Sequence, residues 1–393
     1  MDQLVSITKN YIETLSALYE SGMFVQLFIS DNIIEKILGL EGKKDVTEKE
    51  FIEKLKTLSR EQKQLFSRFS RGIKLLPKSF LVSAVSIYDS FVSKVIESIL
   101  VQKDEIPNSL TFTFSFLDIK SFSSIEEIQK HIIRKEIDGL MRESHIEHLK
   151  WIEKKFDLNI TEKNNFLPTF IEITERRNLF VHSDGIVNSY YLKNCKQHKV
   201  NVSGLSEGKG LDCNQEYFSS SIKSLKVFGV ILSQTIWRKV FPSEHKKANG
   251  FLIELTYNLI LDREYETTIE ILEYFISILE KQFDQEEKII LKINLAQSYK
   301  WLKKNDEMKK VLSDCDWSVY NSRYYIAYLT LIEKWDDLEK MLSDLRPTDE
   351  LNALSFKEWP LFKRLREREF FSTWIVKFSR KRVDKKLLTT SSS

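Results

Sequence analysis

Residues 166–192 read FLPTFIEITERRNLFVHSDGIVNSYYL. Pro168 suits the first turn of a helix, where its missing N–H forfeits no hydrogen bond. Phe166, Phe170, Ile173 and Phe180 recur at helical spacing, so one face of that helix turns into a core. On the same phase, between Ile173 and Phe180, Arg177 breaks the apolar pattern. Arginine is rarely buried without a partner, so the position predicts a cleft, an interface or a bound anion. Asn178 follows it, His182 comes five residues after Arg177, and Ser183, Asp184 and Gly185 offer the helix a stop.

An Arg-Asn pair, three further residues and a histidine at the end of an amphipathic helix resemble the Arg-x4–6-His signature of the HEPN superfamily, in which a polar residue commonly follows the arginine. The resemblance continues through GIVNSYYL and the later helix 217–241, YFSSSIKSLKVFGVILSQTIWRKVF, and covers roughly residues 60–245. It implies an endoribonuclease that needs no metal, leaves a 2′,3′-cyclic phosphate and a 5′-OH, and pairs two copies so that their motifs line a shared cleft. It also implies a role as a toxin or phage-defence effector.

The residue chemistry agrees with that expectation. A histidine with an ordinary pKa near ~6.5 takes and gives protons near neutral pH, as attack of a ribose 2′-OH on the adjacent phosphorus requires. A permanently charged guanidinium stabilises the charge that builds on phosphorus. Arg177 and His182 supply that pair, and Asn178 is placed to orient the ring or the phosphate. Arg176, also within the permitted spacing, is a reserve for the arginine role. Five residues on an ideal helix set Arg177 and His182 about 140° and 7.5 Å apart. Either the helix loosens at its end or a second copy completes the site. As a purely structural alternative, His182 serves as a favourable charge at a helix C-terminus.

The totals set wide bounds. A chain of 393 residues is long enough for two or three domains. Eleven Gly and six Pro leave turn punctuation sparse, and 30% charged with 42% hydrophobic residues fits long amphipathic helices. Sixty basic against 57 acidic residues decide nothing about nucleic acid. Cys195, Cys213 and Cys315 lack metal-ligand spacing and fit free thiols in a reducing cytoplasm. The amino terminus shows no basic region followed by an apolar core, and no uninterrupted apolar run approaches the ~20 residues of a membrane span.

Along the chain, Leu4, Ile7, Tyr11, Leu15 and Leu18, then Ile33, Ile34, Ile37 and Leu38, predict two helices that pack as an accessory layer. Thr47 with Glu50 forms a capping-box pattern. Phe80, Ala84, Ile87, Phe91, Val95 and Ile99 predict a long helix beginning at Pro77, similar to the first helix of a HEPN bundle. Asp89 lies off that stripe. Some HEPN members carry an acidic residue on the corresponding helix, which makes Asp89 a supporting candidate beside the ordinary reading of a solvated carboxylate. LTFTFSFL, residues 110–117, alternates like a short strand or an extended crossing, and Ser124 with Glu127 caps a helix to about Leu140. His131 lies in that helix. His145 and His148 follow in the next with no carboxylate or cysteine at ligand spacing, which predicts surface histidines rather than a zinc site. Residues 193–214 read as a mobile surface loop, since SGLSEGKG fits neither the P-loop nor the dinucleotide fingerprint. Pro242 stops the helix from Tyr217, and EHKKANG (244–250) reads as a linker.

Beyond residue 250, LDREYETTIEIL, LKKNDEMKKVL and IEKWDDLEKML each place a polar turn between two helices. Leu272, Leu312 and Leu342 are 40 and 30 residues apart, bracketing the tetratricopeptide period of about 34. SFKEWPLFKRLREREFF would form a last pair, and KFSRKRVDKK a basic tail that either meets RNA phosphates or stays solvated. The expected fold is all-α: accessory helices over 1–60, a HEPN-like domain over 61–245, tetratricopeptide-like repeats over 250–376 and a tail over 377–393. The expected partners are RNA, a second copy, and a protein or trigger on the repeats, with no cofactor, metal or membrane. A HEPN fold that has lost activity and serves binding or dimerisation, or a helical-repeat scaffold, are the other functional classes.

Overall fold

A computed structural model of the chain describes residues 2–32, 47–103, 112–161, 165–348 and 351–380. Among these the protein is all-α: eighteen α-helices, short 3-10 turns and one isolated antiparallel bridge, Ile186 to Gly210. The chain divides into two compact units, Met1–Pro242 and Ser243–Ser393.

In the first unit the helices are α1 (Asp2–Asn32), α2 (Glu48–Thr57), α3 (Arg60–Gln102), α4 (Phe116–Ser121), α5 (Ile125–Leu140), α6 (His145–Phe156), α7 (Leu167–His182), α8 (Ser189–Gln197) and α9 (Gln215–Val240). Helix α3 starts well before Pro77, because Ser59 and Gln62 form a capping box: Ser59 N–H donates to Gln62 Oε1 at 2.9 Å and Gln62 N–H to Ser59 Oγ at 3.2 Å. Pro77 is absorbed inside the helix at the loss of one backbone bond. The expected capping box of Thr47 and Glu50 also forms, opening α2.

Helices α1, α3, α7 and α9 enclose the core. The Phe170 and Phe228 rings stack at 4.1 Å, Tyr88 lies 4.8 Å from Phe170, and Tyr11 stacks on Phe91 at 4.1 Å. Leu4, Tyr11, Ile12 and Leu15 are buried, and Tyr11 Oη donates to the Leu225 carbonyl at 2.6 Å. Helix α1 is therefore an integral wall of this unit, where the sequence suggested an accessory layer. The helix expected around Ile33 to Leu38 lies outside the described residues, as do residues 110–111.

Two further expectations are corrected. Residues 112–115 form no strand and lead into α4, opened by a capping box of Ser115 and Asp118. Residues 193–197 belong to α8, and the stretch after it is tied down rather than loose. Val187 N–H donates to the Lys209 carbonyl at 2.9 Å, Leu211 N–H to Gly185 at 2.8 Å, and Val200, Val202, Leu205 and Leu211 pack against buried Val187, Tyr191 and Cys195. By length and composition α3 is apolar enough to cross a bilayer, yet 44% of that window is buried in the protein, against α1, α7 and α9.

The second unit holds α10 (His245–Leu261), α11 (Tyr265–Leu279), α12 (Gln285–Trp301), α13 (Asn305–Ser313), α14 (Ser322–Leu331), α15 (Trp335–Asp344), α16 (Ala353–Glu358), α17 (Lys363–Arg366) and α18 (Glu369–Ser379). Its first six helices form three hairpins with one turn geometry. Arg263, Lys303 and Glu333 take left-handed φ angles of 62°, 61° and 58°. The next N–H groups, of Glu264, Lys304 and Lys334, reach back to Leu259, Tyr299 and Leu329 carbonyls at 2.8, 2.9 and 3.0 Å. That is a repeated Schellman closure. Helix α12 packs on α10 and α14, so the hairpins stack in sequence. Residues 245–250 are not a linker but the opening of α10, anchored where Asn249 Nδ2 donates to Gln282 O at 3.0 Å and Glu287 Oε2 at 2.8 Å. The last pair is broken at Pro360 into α16, a 3-10 turn, α17 and α18. Most of the basic tail, from residue 381, lies outside the described residues.

Candidate active site

Helix α7 sorts its charged residues by phase. Its apolar face, Leu167, Phe170, Ile171, Ile173 and Leu179, is buried. Successive residues turn by about 100°, so the adjacent arginines face different surroundings. Arg176 Nε donates to Glu172 Oε1 at 2.7 Å, its guanidinium sits 3.8 Å from the Tyr217 ring centroid, and it reaches the Asp212 carbonyl at 3.2 Å. Glu172 also accepts from Tyr191 Oη at 2.9 Å and Tyr217 Oη at 2.5 Å. Arg176 thus clamps α7 to α8 and α9 and does not line the cleft described next.

That cleft has a volume of about 460 Å³ and collects Asp89 from α3, His145 and His148 from α6, and Glu175, Arg177, Asn178 and His182 from α7. Arg177 Nη1 donates to Asn178 Oδ1 at 3.1 Å, while its Nε is buried without a hydrogen-bond partner. Among the described residues Arg177 has no ion-pair partner. His182 ends α7 and is exposed. Both line one cleft of a single chain with α7 helical to its last residue, because the cleft wraps around the helix end and takes in Ser183, Asn188 and Tyr190 beyond it.

The stop that creates this end depends on Gly185. Its φ is +81°, its N–H donates to the Leu179 carbonyl at 3.0 Å, and a Cβ there would sit 2.9 Å from the Leu211 carbonyl oxygen. Only glycine fits both the dihedral and the close approach.

His145 and His148 are not surface residues, as their lack of nearby ligands suggested. They are 9% and 3% exposed, because positions 145, 148, 149, 152 and 156 share one face of α6 and Leu149, Ile152 and Phe156 turn that face inward. Asp89 supplies a carboxylate from 56 residues away in sequence: His145 Nε2 lies 2.9 Å from Asp89 Oδ1. Asp89 is therefore a half-buried partner of a histidine, not a solvated charge. The His148 ring centre is 5.3 Å from that of His145, and neither of its nitrogens completes a hydrogen bond. Burial first, and the neighbouring His145 charge second, depress His148 to about 4, against the pull of Asp89 and the Glu143 and Leu140 carbonyls. Burial also raises the Glu175 carboxyl above the ordinary range, although Asn194 Nδ2 donates to it at 3.1 Å.

The sequence pattern singled out Arg177, Asn178, His182 and Asp89, and these four line one cleft while the reserve Arg176 does not. It missed the buried roles of His145, His148 and Glu175. The helical phase of His145 and His148 with Leu149, Ile152 and Phe156 was the available signal; Glu175 carried none. Among the described residues no group of three or more His, Cys, Asp or Glu is placed to hold a metal. The arrangement offers an anion a permanently charged guanidinium and offers a substrate two histidines at separate positions. Comparison with protein-family models, with curated proteins and with solved structures finds no match.

Proposed function

We propose that the first unit is a metal-independent endoribonuclease, with Arg177, Asn178 and His182 as its working residues. One observation carries the reading. Arg177, a guanidinium with no ion-pair partner among the described residues, and His182 border the same cleft, which is lined by further proton-carrying side chains. A partly buried cation without a counter-charge is costly to keep, and an anionic ligand such as a phosphodiester resolves that cost. His182, exposed at the mouth, takes the proton of a ribose 2′-OH. The oxygen attacks phosphorus, Arg177 stabilises the added charge by paired hydrogen bonds, and Asn178 holds Arg177 in place.

In this reading the protein works on cytoplasmic RNA as a cell-arresting or defence effector. A second copy sets two such clefts side by side. The second unit holds a protein partner or trigger; a hollow of about 290 Å³ lined by Tyr257, Ile293, Asn294, Tyr324, Trp359 and Leu361 is the surface that supports this assignment.

The test is RNA cleavage in EDTA by wild type and His182→Ala in parallel. Cleavage by wild type only, with cyclic-phosphate ends, is the expected result. If neither folded protein cuts while wild type binds RNA and Arg177→Ala does not, the cleft is instead the phosphate seat of an inactive binding module. Equal cleavage by both would place the chemistry elsewhere.

A further inference from the structure

The proposed reaction needs two proton transfers, and His182 accounts for one. We propose that His145, held by Asp89, is the second: the general acid that protonates the departing 5′-oxygen. This rests on the nuclease reading above and extends it to a residue outside the Arg-x4-His motif, supplied by the same chain.

The geometry carries the assignment. His145 is buried in the wall of the cleft, and its Nε2 is taken by Asp89 at 2.9 Å, which leaves Nδ1 as the nitrogen able to exchange a proton with substrate. Charged and titratable groups line the cleft around it: Asp89 on α3, Arg142 and Glu143 just before α6, His148 on α6, Glu175, Arg177 and His182 on α7, and Tyr190 and Tyr191 on α8. Asp89 gives an imidazolium at 145 a counter-charge. His148, its ring centre 5.3 Å away, is more deeply buried and neither of its nitrogens has a hydrogen-bond partner, so of the two rings His145 is the one equipped to carry the proton. His182 is exposed at the cleft mouth and, among the described residues, has no carboxylate bound to it, as suits the ring that accepts the first proton.

The step balances without a co-reactant. His182 removes the 2′-OH proton, O2′ forms a bond to phosphorus, the P–O5′ bond breaks, and O5′ takes the proton from His145 Nδ1. The products are a 2′,3′-cyclic phosphate and a 5′-OH. Neutral His145 then keeps its Nε2–H on Asp89 until solvent restores the second proton. Asp89 touches no reacting atom; it is a positioning residue.

A thiolate leaving group needs no protonation, and this separates the two histidines. The probe is an RNA oligonucleotide cut by wild type, beside the same oligonucleotide with sulfur replacing the 5′-bridging oxygen at the cut position. His145→Gln should lose about 10²–10⁴-fold in kcat on the oxygen substrate, the usual size of a general-acid contribution, and stay within about 10-fold of wild type on the sulfur substrate. His182→Ala should lose both. Asp89→Asn, which keeps shape and removes the counter-charge, should repeat the His145→Gln pattern in weaker form. Activity on the sulfur substrate itself certifies that His145→Gln and Asp89→Asn are folded, and a urea midpoint matching wild type does so for His182→Ala. Equal loss on both substrates in His145→Gln and Asp89→Asn, or no loss on either, would overturn the assignment while leaving the nuclease intact. Wild-type protein that cuts no RNA would remove the nuclease reading and this assignment with it.

Discussion

Arg176 Nε lies 2.7 Å from Glu172 Oε1, whereas Arg177, the next residue on the same helix, has a buried Nε with no hydrogen-bond partner among the described residues. The first side chain stacks on Tyr217 and pairs with Glu172, which accepts from Tyr191 and Tyr217, while the second makes no such clamp. The Arg176 and Glu172 side chains are only 16% and 14% exposed, so solvent screens their pair little. Breaking such a pair strands the remaining charge and typically costs about 3 kcal/mol or more. Arg176→Ala should therefore lower unfolding free energy by about 3 kcal/mol. Arg177→Ala should leave it unchanged or raise it by up to about 1 kcal/mol, because an unsatisfied buried donor is removed. Urea denaturation of the two variants side by side decides it, and equal destabilisation would sink this division of labour.

A second prediction concerns the joint between α1 and α9. A Cβ at Gly229 would run into the Tyr11 ring, with Cζ 3.0 Å and Oη 3.1 Å away, and the same hydroxyl donates to the Leu225 carbonyl at 2.6 Å. Alanine normally gains about 1 kcal/mol over glycine inside a helix. Overpacking a filled core costs about 1–3 kcal/mol, and the rigid tyrosine ring, buried and bonded, has nowhere to go. Gly229→Ala should thus destabilise by about 1–2 kcal/mol. Combined with Tyr11→Leu its own cost should vanish, a coupling of about 1 kcal/mol or more in a double-mutant cycle. Additive effects would mean that the two residues do not press on each other.

Which parts of this protein were legible from sequence follows from the range of the forces involved. Local signals held. Thr47 with Glu50 caps α2, Pro168 falls in the first turn of α7, Gly185 ends its run, and the three polar turns of the second unit share one closure. Long-range placement was not legible. Nothing near His145 announces that Asp89, 56 residues earlier, will meet it, and nothing near Tyr11 announces Gly229, because those pairs exist only once α3 meets α6 and α1 meets α9. Pro77 misled because it read as a start, while the actual start was the plainer Ser59–Gln62 box. Composition misled at residues 199–214, where glycines and serines suggested looseness but Val200, Val202, Leu205 and Leu211 supply a small core.

The last prediction uses His148, a buried ring that makes no hydrogen bond and whose pKa is depressed to about 4, chiefly by burial and then by the His145 charge. In the unfolded chain the same ring titrates near ~6.5. The unfolded state therefore binds a proton that the folded state refuses, and the folded protein is favoured only where the ring is neutral in both. Stability from this residue is fully present above about pH 6.5 and is lost as pH falls through the window down to about 4. A tenfold change in proton affinity is worth about 1.4 kcal/mol, so the loss across the window is roughly 3 kcal/mol. The raised carboxyl of Glu175 acts in the opposite direction over the lower part of that range, since its folded form holds a proton more tightly. Because Glu175 is present in both proteins, a comparison of wild type with His148→Phe cancels it. The wild-type urea midpoint should fall between pH 7 and pH 4.5, and the variant, matched to wild type within about 1 kcal/mol at pH 7, should show a markedly flatter profile. Parallel profiles would mean that His148 is protonated in the folded protein, and the neutral ring assigned beside His145 would have to be given up.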